Sequence, residues 1–122
     1  METIADGMKQ ENISTVSMEE MKMRPQMEII CVGNELLIGK TLNTNAHWLA
    51  KQSTLSGIIV KRITVVDDEI DEIAAVIRES LKRKPDFIIT TGGLGPTFDD
   101  KTLEGIAKSL KRELAVNMKA LA

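Results

Sequence analysis

The sequence predicts an α/β fold in which a mainly parallel sheet carries helices on both faces. Three short runs of buried-strand composition alternate with amphipathic helical segments, and this βαβαβα order is typical of doubly wound sheets. A length of 122 residues is enough for one domain. We expect the ordered domain over residues 28–122, and a disordered tail over the Met-rich, acid-containing residues 1–27.

The strands are predicted from apolar runs that end at turn residues. Glu28–Gly33 is mostly apolar up to its glycine, Ile58–Val66 is rich in Ile and Val, and Phe87–Thr90 leads into a glycine-rich turn. In open α/β sheets, ligands bind beyond the carboxyl ends of the strands. The loops that follow these runs are therefore the places to look for function.

The helices are predicted from apolar spacing and from residues that stop a helix. Ala46–Ser56 is followed by Gly57, a typical C-terminal stop. A second helix carries apolar residues at helical spacing from Ile70 to Leu81 and ends before Pro85. A third helix is expected to begin near Asp99.

Composition excludes several classes of function. The formal net charge is −2 and aromatic residues make up 2% of the chain, which argues against a nucleic-acid-binding surface. The chain has one cysteine, Cys31, and one histidine, His47, so an internal disulfide and a Cys- or His-rich metal site are excluded. No apolar run approaches the roughly 18 residues that a membrane helix needs, and we expect a cytoplasmic protein without a membrane partner.

The strongest functional signal is the glycine-rich loop after the third strand. Because Gly92, Gly93 and Gly95 have no Cβ, a phosphate group can approach the main chain, and the helix that follows favours an anion. The loop lacks both the Walker ending and the glycine spacing of the dinucleotide fingerprint. The alternative is that the glycines only form a tight turn between strand and helix.

Three acids near this loop have two interpretations each. As helix caps, Asp99 and Asp100 would contribute about 1 kcal/mol. A carboxylate about 4 Å from a phosphate would instead be repelled by roughly 4 kcal/mol at an effective dielectric of 20, unless a divalent cation bridges the two groups. Asp68 is either the cap of the second helix or a neighbour of the glycine loop that joins Asp100 around one metal.

The loop after the first strand supplies further polar groups. Asn45 is expected to cap the first helix, while Asn43 either braces the loop or lines the pocket. The carboxylate of Glu35 is either paired or at the site. Trp48 is expected to serve packing, and Cys31 to be inert core.

Several segments together resemble the molybdopterin-binding domain family, which includes MoaB, MogA and gephyrin. They are Val32–Gly39, Asn43–Asn45, Val66–Asp68 and Thr91–Thr102. The branch that they resemble most is the N-terminal domain of the competence-damage-inducible protein CinA. Leu94 stands where the adenylyltransferases of the family usually have Thr, which favours the CinA branch.

The resemblance implies a three-layer α/β sandwich, a homo-oligomer (dimer or trimer) and a small-molecule ligand, either a nucleotide or molybdopterin. In the adenylyltransferases the matching glycine loop holds the pterin or nucleotide phosphate. Acids at the positions of Asp68 and Asp100 there serve a Mg²⁺-dependent transfer. In the CinA branch, the matching domain is associated with a metal-dependent pyrophosphatase that acts on ADP-ribose.

The first expectation is therefore hydrolysis of ADP-ribose-like nucleotides with Mg²⁺ or Co²⁺, with Asp68 and Asp100 as catalytic and metal-binding residues. The residues expected to bind substrate or phosphate are Thr91, Gly92, Gly93, Gly95, Glu35, Asn43 and Asn45. One alternative is molybdopterin binding or adenylyl transfer. The other is a non-catalytic binding module or an incomplete fragment, because the family domain continues beyond residue 122.

Overall fold

A computed structural model of the protein describes residues 23–94 and 101–111. In these residues the strands are β1 (Gln26–Val32), β2 (Ile59–Val66) and β3 (Phe87–Thr91), and the helices are α1 (Asn34–Leu37), α2 (Thr44–Leu55), α3 (Ile70–Arg83) and α4 (Lys101–Ser109). Strand β1 begins two residues before the expected domain boundary. Residues 1–22 of the expected tail lie outside the described residues, as does Asp99 at the expected start of the third long helix.

The three strands are parallel and lie in the order β2-β1-β3. Strand β1 is central because both of its faces are apolar. Ile30 and Val32 point to one face and pack with Ile73 and Ile77 of α3, whereas Ile29 and Cys31, on the other face, pack with Ala46 of α2. Helices thus cover both faces, which confirms the predicted three-layer α/β sandwich with a parallel sheet.

Helix α2 begins two residues before the predicted start, and its N-cap is Asn43 rather than Asn45. The side-chain oxygen of Asn43 accepts a hydrogen bond from the backbone N–H of Ala46, at 3.3 Å. The helix ends as predicted, before Gly57, which has φ +85°. The expectation that Trp48 serves packing is wrong, because this side chain is 60% exposed.

Helix α3 is not capped by Asp68 as the sequence suggested. Its N-cap residue is Glu69, whose backbone carbonyl accepts from the N–H of Ile73 at 2.9 Å without a side-chain cap bond. Asp67 instead accepts from the N–H of Asp68 at 2.8 Å. At the other end Lys84 takes the left-handed conformation before Pro85, so the predicted stop is confirmed.

No helix within the described ranges combines the length and the apolar character needed to cross a bilayer.

An ion pair between a buried carboxylate and an exposed arginine fixes the amino end of the sheet to α3. The side chain of Glu28, in β1, is 3% exposed and accepts from the Nε and Nη2 groups of Arg83, each at 2.7 Å. The hydrogen bonds from Arg83 hold the pKa of Glu28 below its usual range, against the opposing effect of burial. This bidentate contact is the geometry in which an arginine side chain binds a carboxylate most strongly.

We expect Arg83→Met to lower the thermal midpoint at pH 7, because it leaves the Glu28 carboxylate buried and unpaired. Since the folded-state pKa of Glu28 is lowered, the pair stabilises the fold above the unfolded-state pKa, and this contribution is lost as pH falls through the folded-state pKa. The midpoint of Arg83→Met should therefore fall less between pH 6 and pH 2 than that of the wild type.

Circular dichroism melts across this pH range measure both effects. Arg78→Met, which removes an exposed arginine from the same helix, is the matched control. Equal midpoints for the two variants at pH 7 would show that the Glu28–Arg83 pair contributes nothing.

Candidate functional site

The candidate site lies where the direction of the sheet reverses. From β1 the chain passes to β2 on one side and then crosses to β3 on the other, so the carboxyl ends of β1 and β3 form the crevice in which α/β proteins bind ligands. A cavity of about 120 Å³ opens there. Its lining includes the predicted ligand residues Glu35, Asn43, Asn45, Thr91 and Gly92.

The glycine turn after β3 approaches the end of β1 so closely that side chains are excluded. A Cβ on Gly92 would lie 2.0 Å from the carbonyl oxygen of Val32, and one on Gly93 would lie 2.0 Å from Oγ1 of Thr102. Both glycines also have positive φ, +87° and +67°. Gly92 and Gly93 therefore form a tight turn against the end of β1, and Gly92 also lines the cavity.

Thr102 holds this turn and was not singled out from the sequence. Its hydroxyl donates a hydrogen bond to the carbonyl oxygen of Gly92 at 2.8 Å, and the residue is 1% exposed. It ties α4 to the turn after β3. Thr102 could have been found from the sequence, because it is a polar residue shortly after the glycine loop and the last residue of the Thr91–Thr102 segment.

A second contact joins the first turn of α2, which follows the loop after β1, to the end of β3. Thr91 pairs with Cys31 in the sheet and so points toward the α2 layer, because neighbouring strands in register share a face. There its hydroxyl oxygen lies 3.5 Å from Nδ2 of Asn45, the donor of this long hydrogen bond. Asn43 braces the same loop through its cap bond to Ala46.

Glu35 places a carboxylate at the edge of the cavity. Its carboxylate oxygens lie 2.7 Å from where a Cβ on Gly33 would be, so the side chain folds back over that glycine. Its backbone carbonyl accepts from the N–H groups of Lys40 and Thr41, at 3.0 and 3.2 Å. Among the described lining residues Glu35 is the one acid, and none is a lysine or arginine.

The predicted pairing of Asp68 with Asp100 beside the glycine loop stays a prediction. Asp68 follows β2, and β1 lies between β2 and β3 in the sheet. Two other predicted residues, Gly95 and Asp100, lie outside the described residues. Across residues 23–94 and 101–111, no three His, Cys, Asp or Glu side chains cluster as metal ligands.

Comparison with known proteins identifies the family. Residues 28–122 match the family model described as "Probable molybdopterin binding domain". The chain belongs to the molybdopterin-binding domain family. This match begins two residues after the start of β1 and includes every residue of the cavity described above.

Two solved structures locate the chain within the family. CinA from Thermoplasma acidophilum is 43% identical, with a TM-score of 0.75 over 80% of this chain and 57% of that one. The molybdopterin biosynthesis enzyme MoaB from Thermus thermophilus is 30% identical, with a TM-score of 0.60 over 73% of this chain and 57% of that one.

Among curated relatives, a protein of Metallosphaera sedula is 55% identical over 94 residues, which are 77% of this chain and 36% of the relative. A protein of Sulfurisphaera tokodaii is 58% identical over 90 residues, 74% of this chain and 34% of the relative. The chain thus spans about a third of the length of the curated relatives it matches.

We expect Gly92→Ala to destabilise the fold more than Gly39→Ala does. Both positions have positive φ, which costs a non-glycine residue about 1–3 kcal/mol, but a Cβ at Gly39 meets nothing within 4 Å, whereas one at Gly92 meets the Val32 carbonyl. The difference in the free energy of unfolding between the two variants therefore measures the cost of the contact between a Cβ at position 92 and the Val32 carbonyl.

Urea unfolding of the wild type and both variants gives the two changes in the free energy of unfolding. A larger loss for Gly92→Ala is the expected result. Equal losses would mean that the turn does not press against β1 in solution.

Proposed function

We propose that the cavity between β1 and β3 binds the phosphate end of a nucleotide or a pterin phosphate. The observation that carries this proposal is that five predicted ligand residues from two separate loops line one cavity at the reversal point of the sheet. Drug-sized ligands occupy roughly 300–1,000 Å³. Since the cavity measures about 120 Å³, it suits one phosphate-sized group, and the rest of the ligand lies outside it.

The polar groups of the cavity favour recognition by hydrogen bonds rather than by ion pairs. Asn43, Asn45 and Thr91 carry amide and hydroxyl donors, and Gly92 allows a ligand to reach the main chain. The negative charge of the Glu35 carboxylate repels an anionic ligand. A ligand that carries a bound cation would remove this repulsion.

For the reaction, we propose hydrolysis of the pyrophosphate bond of ADP-ribose-like nucleotides. Water adds to one phosphorus atom and the bridging oxygen leaves with the other phosphate, which gives AMP and ribose 5-phosphate. The support for this choice is the resemblance to the CinA branch, with which such a hydrolase is associated; the 43% identity to CinA and the presence of Leu94 in the glycine loop favour that branch. Divalent Mg²⁺ or Co²⁺ is part of the proposal, with Asp68 and Asp100 as its candidate ligands and Gly93 and Gly95 as phosphate-contacting positions.

A second candidate is molybdopterin binding or adenylyl transfer in molybdenum cofactor biosynthesis. Two findings favour it: the description of the matching family, and the 30% identity to a protein titled molybdopterin biosynthesis enzyme MoaB. The two candidates share the cavity and differ in the nucleophile. In hydrolysis, water attacks a phosphorus atom of ADP-ribose; in adenylyl transfer, an oxygen of the pterin phosphate attacks the α-phosphorus of ATP and pyrophosphate leaves.

We expect Asn45→Leu to weaken ADP-ribose binding about 3- to 10-fold, because it removes a hydrogen-bonding amide at the cavity. Gln52→Leu makes the same kind of change at an exposed site elsewhere on α2 and should leave affinity unchanged. Isothermal titration with ADP-ribose in the presence of Mg²⁺ measures both constants. Equal affinities of the two variants for ADP-ribose would show that Asn45 does not contribute to binding.

Turnover separates the candidate reactions. The protein is incubated with ADP-ribose, or with molybdopterin and ATP, each with Mg²⁺, with Co²⁺ and with EDTA. Release of AMP and ribose 5-phosphate supports hydrolysis, and adenylylated pterin supports transfer. Saturable binding without turnover of either would contradict both and leave a binding module.

The role of the acids is tested in the same assay. We expect Asp100→Asn to lower turnover by at least about 10- to 100-fold, as changes around bound metals do, while its neighbour Asp99→Asn retains it. Unchanged turnover and unchanged metal affinity in Asp100→Asn would show that Asp100 has no metal role.

A further inference from the structure

A second small cavity opens at the amino end of the sheet, opposite the candidate site. Its volume is about 150 Å³, similar to the 120 Å³ of the cavity between β1 and β3. Four of its lining residues are charged. Glu28 and Arg83 form an ion pair with each other, whereas Lys61 and Arg62 form no ion pair with any residue that the structure describes. The complete lining is Gln26, Glu28, Lys61, Arg62, Arg83 and Pro85.

An irregularity in strand pairing accounts for the presence of both Lys61 and Arg62 at this cavity. Met27 of β1 pairs with Val60 of β2. The next residue, Glu28, pairs with Arg62, so that Lys61 is an extra residue on β2. In a regular strand, successive side chains point to opposite faces of the sheet. An extra residue of this kind changes the direction of a side chain, and such bulges are frequent next to active sites.

The lining of the cavity carries more positive than negative charge. The carboxylate of Glu28 is ionised at neutral pH, because Arg83 holds its pKa below the usual range, and it neutralises that arginine. Lys61 and Arg62 are left without a counter-charge in the lining. Because like charges around one cavity repel each other, an anion bound between them is favoured.

Arg83 also retains hydrogen-bond donors for a ligand. Its Nε and Nη2 groups donate to Glu28, each at 2.7 Å, while Nη1 donates to no residue within the described ranges. The buried carboxylate of Glu28 thus fixes the plane of the guanidinium group at the cavity. A guanidinium group held in this way is suited to the oxygens of a phosphate group.

We propose that this amino-end cavity binds a phosphate group, either the free phosphate ion or the phosphate of a small monoester. Two cations without a counter-charge match an anion that carries a charge of about −1.5 to −2 at pH 7, whereas a carboxylate would neutralise one of them. The volume of about 150 Å³ accommodates one such group. The proposal does not depend on the ligand of the cavity between β1 and β3.

A different explanation for the two cations is protection of a sheet edge. Within the described residues, β2 has one neighbour in the sheet, β1, and edge strands are often protected by lysines and bulges. That role requires charge on the strand, but it does not require that Lys61 and Arg62 share a cavity with Arg83. Saturable binding that is selective for phosphate distinguishes the two explanations.

The test follows the amide chemical shifts of the full chain during a titration with sodium phosphate, at constant ionic strength and without Mg²⁺. Saturable shifts are expected at Lys61 and Arg62 and at the Nε–H group of Arg83. Lys61→Gln and Arg62→Gln should each weaken phosphate affinity about 3- to 10-fold, because each removes a charge-assisted contact at an exposed position. Arg78→Gln removes the same charge from an exposed position on α3 and should bind phosphate like the wild type.

Two further probes define the ligand, and circular dichroism shows that each variant is folded. Glycerol 3-phosphate separates the two sources of the phosphate group. Affinity equal to that for phosphate supports a monoester site, and weaker binding at the same residues supports a site for the free ion. Acetate should produce no saturable shift at Lys61 or Arg62.

Three results would overturn the proposal. The first is the absence of saturable shifts at Lys61 and Arg62 up to about 50 mM phosphate, which would leave edge protection as the explanation. The second is an equal loss of affinity in Arg78→Gln, because binding would then follow net charge alone. The third is acetate binding as tight as phosphate binding, because the cavity would then recognise a carboxylate.

Discussion

The approach of Gly92 to the carboxyl end of β1 is the constraint on which the candidate site depends. A side chain at this position would meet the carbonyl oxygen of Val32 at 2.0 Å, so the turn after β3 lies directly against the central strand. Thr102 then binds the carbonyl of Gly92 and brings α4 to the same turn. Part of the cavity lining is therefore contributed by the glycine turn, at Gly92.

The positions of the other residues that line the cavity are determined by the packing of helices on the apolar strand β1. Because this strand is buried on both faces, α2 packs on one side and α3 on the other. Packing of α2 brings Asn45 to Thr91, and the cap bond of Asn43 fixes the start of that helix. The polar residues of two loops thus meet because the apolar residues of the strands and helices place them there.

The sequence was sufficient for the order of the three strands and the longer helices, since apolar spacing and the stops at Gly57 and Pro85 are local signals. It did not reveal α1, which lies in a segment expected to be a loop. It was not sufficient for the cap of α2, because asparagines stand at both position 43 and position 45 and either can cap. It was also not sufficient for the start of α3, whose N-cap residue is Glu69 rather than Asp68. The exposure of Trp48 was missed because helical spacing does not reveal what covers the outer side of a helix.

Backbone amide chemical shifts during a titration with inorganic pyrophosphate and Mg²⁺ test the central claim most directly, since they locate an anion without requiring turnover. If the turn after β3 receives the anion, the largest shifts will be at Thr91 and Gly92, with smaller ones at Asn45. Large shifts at Arg62 and Arg83, at the opposite end of the sheet, with none at Gly92 would contradict the account.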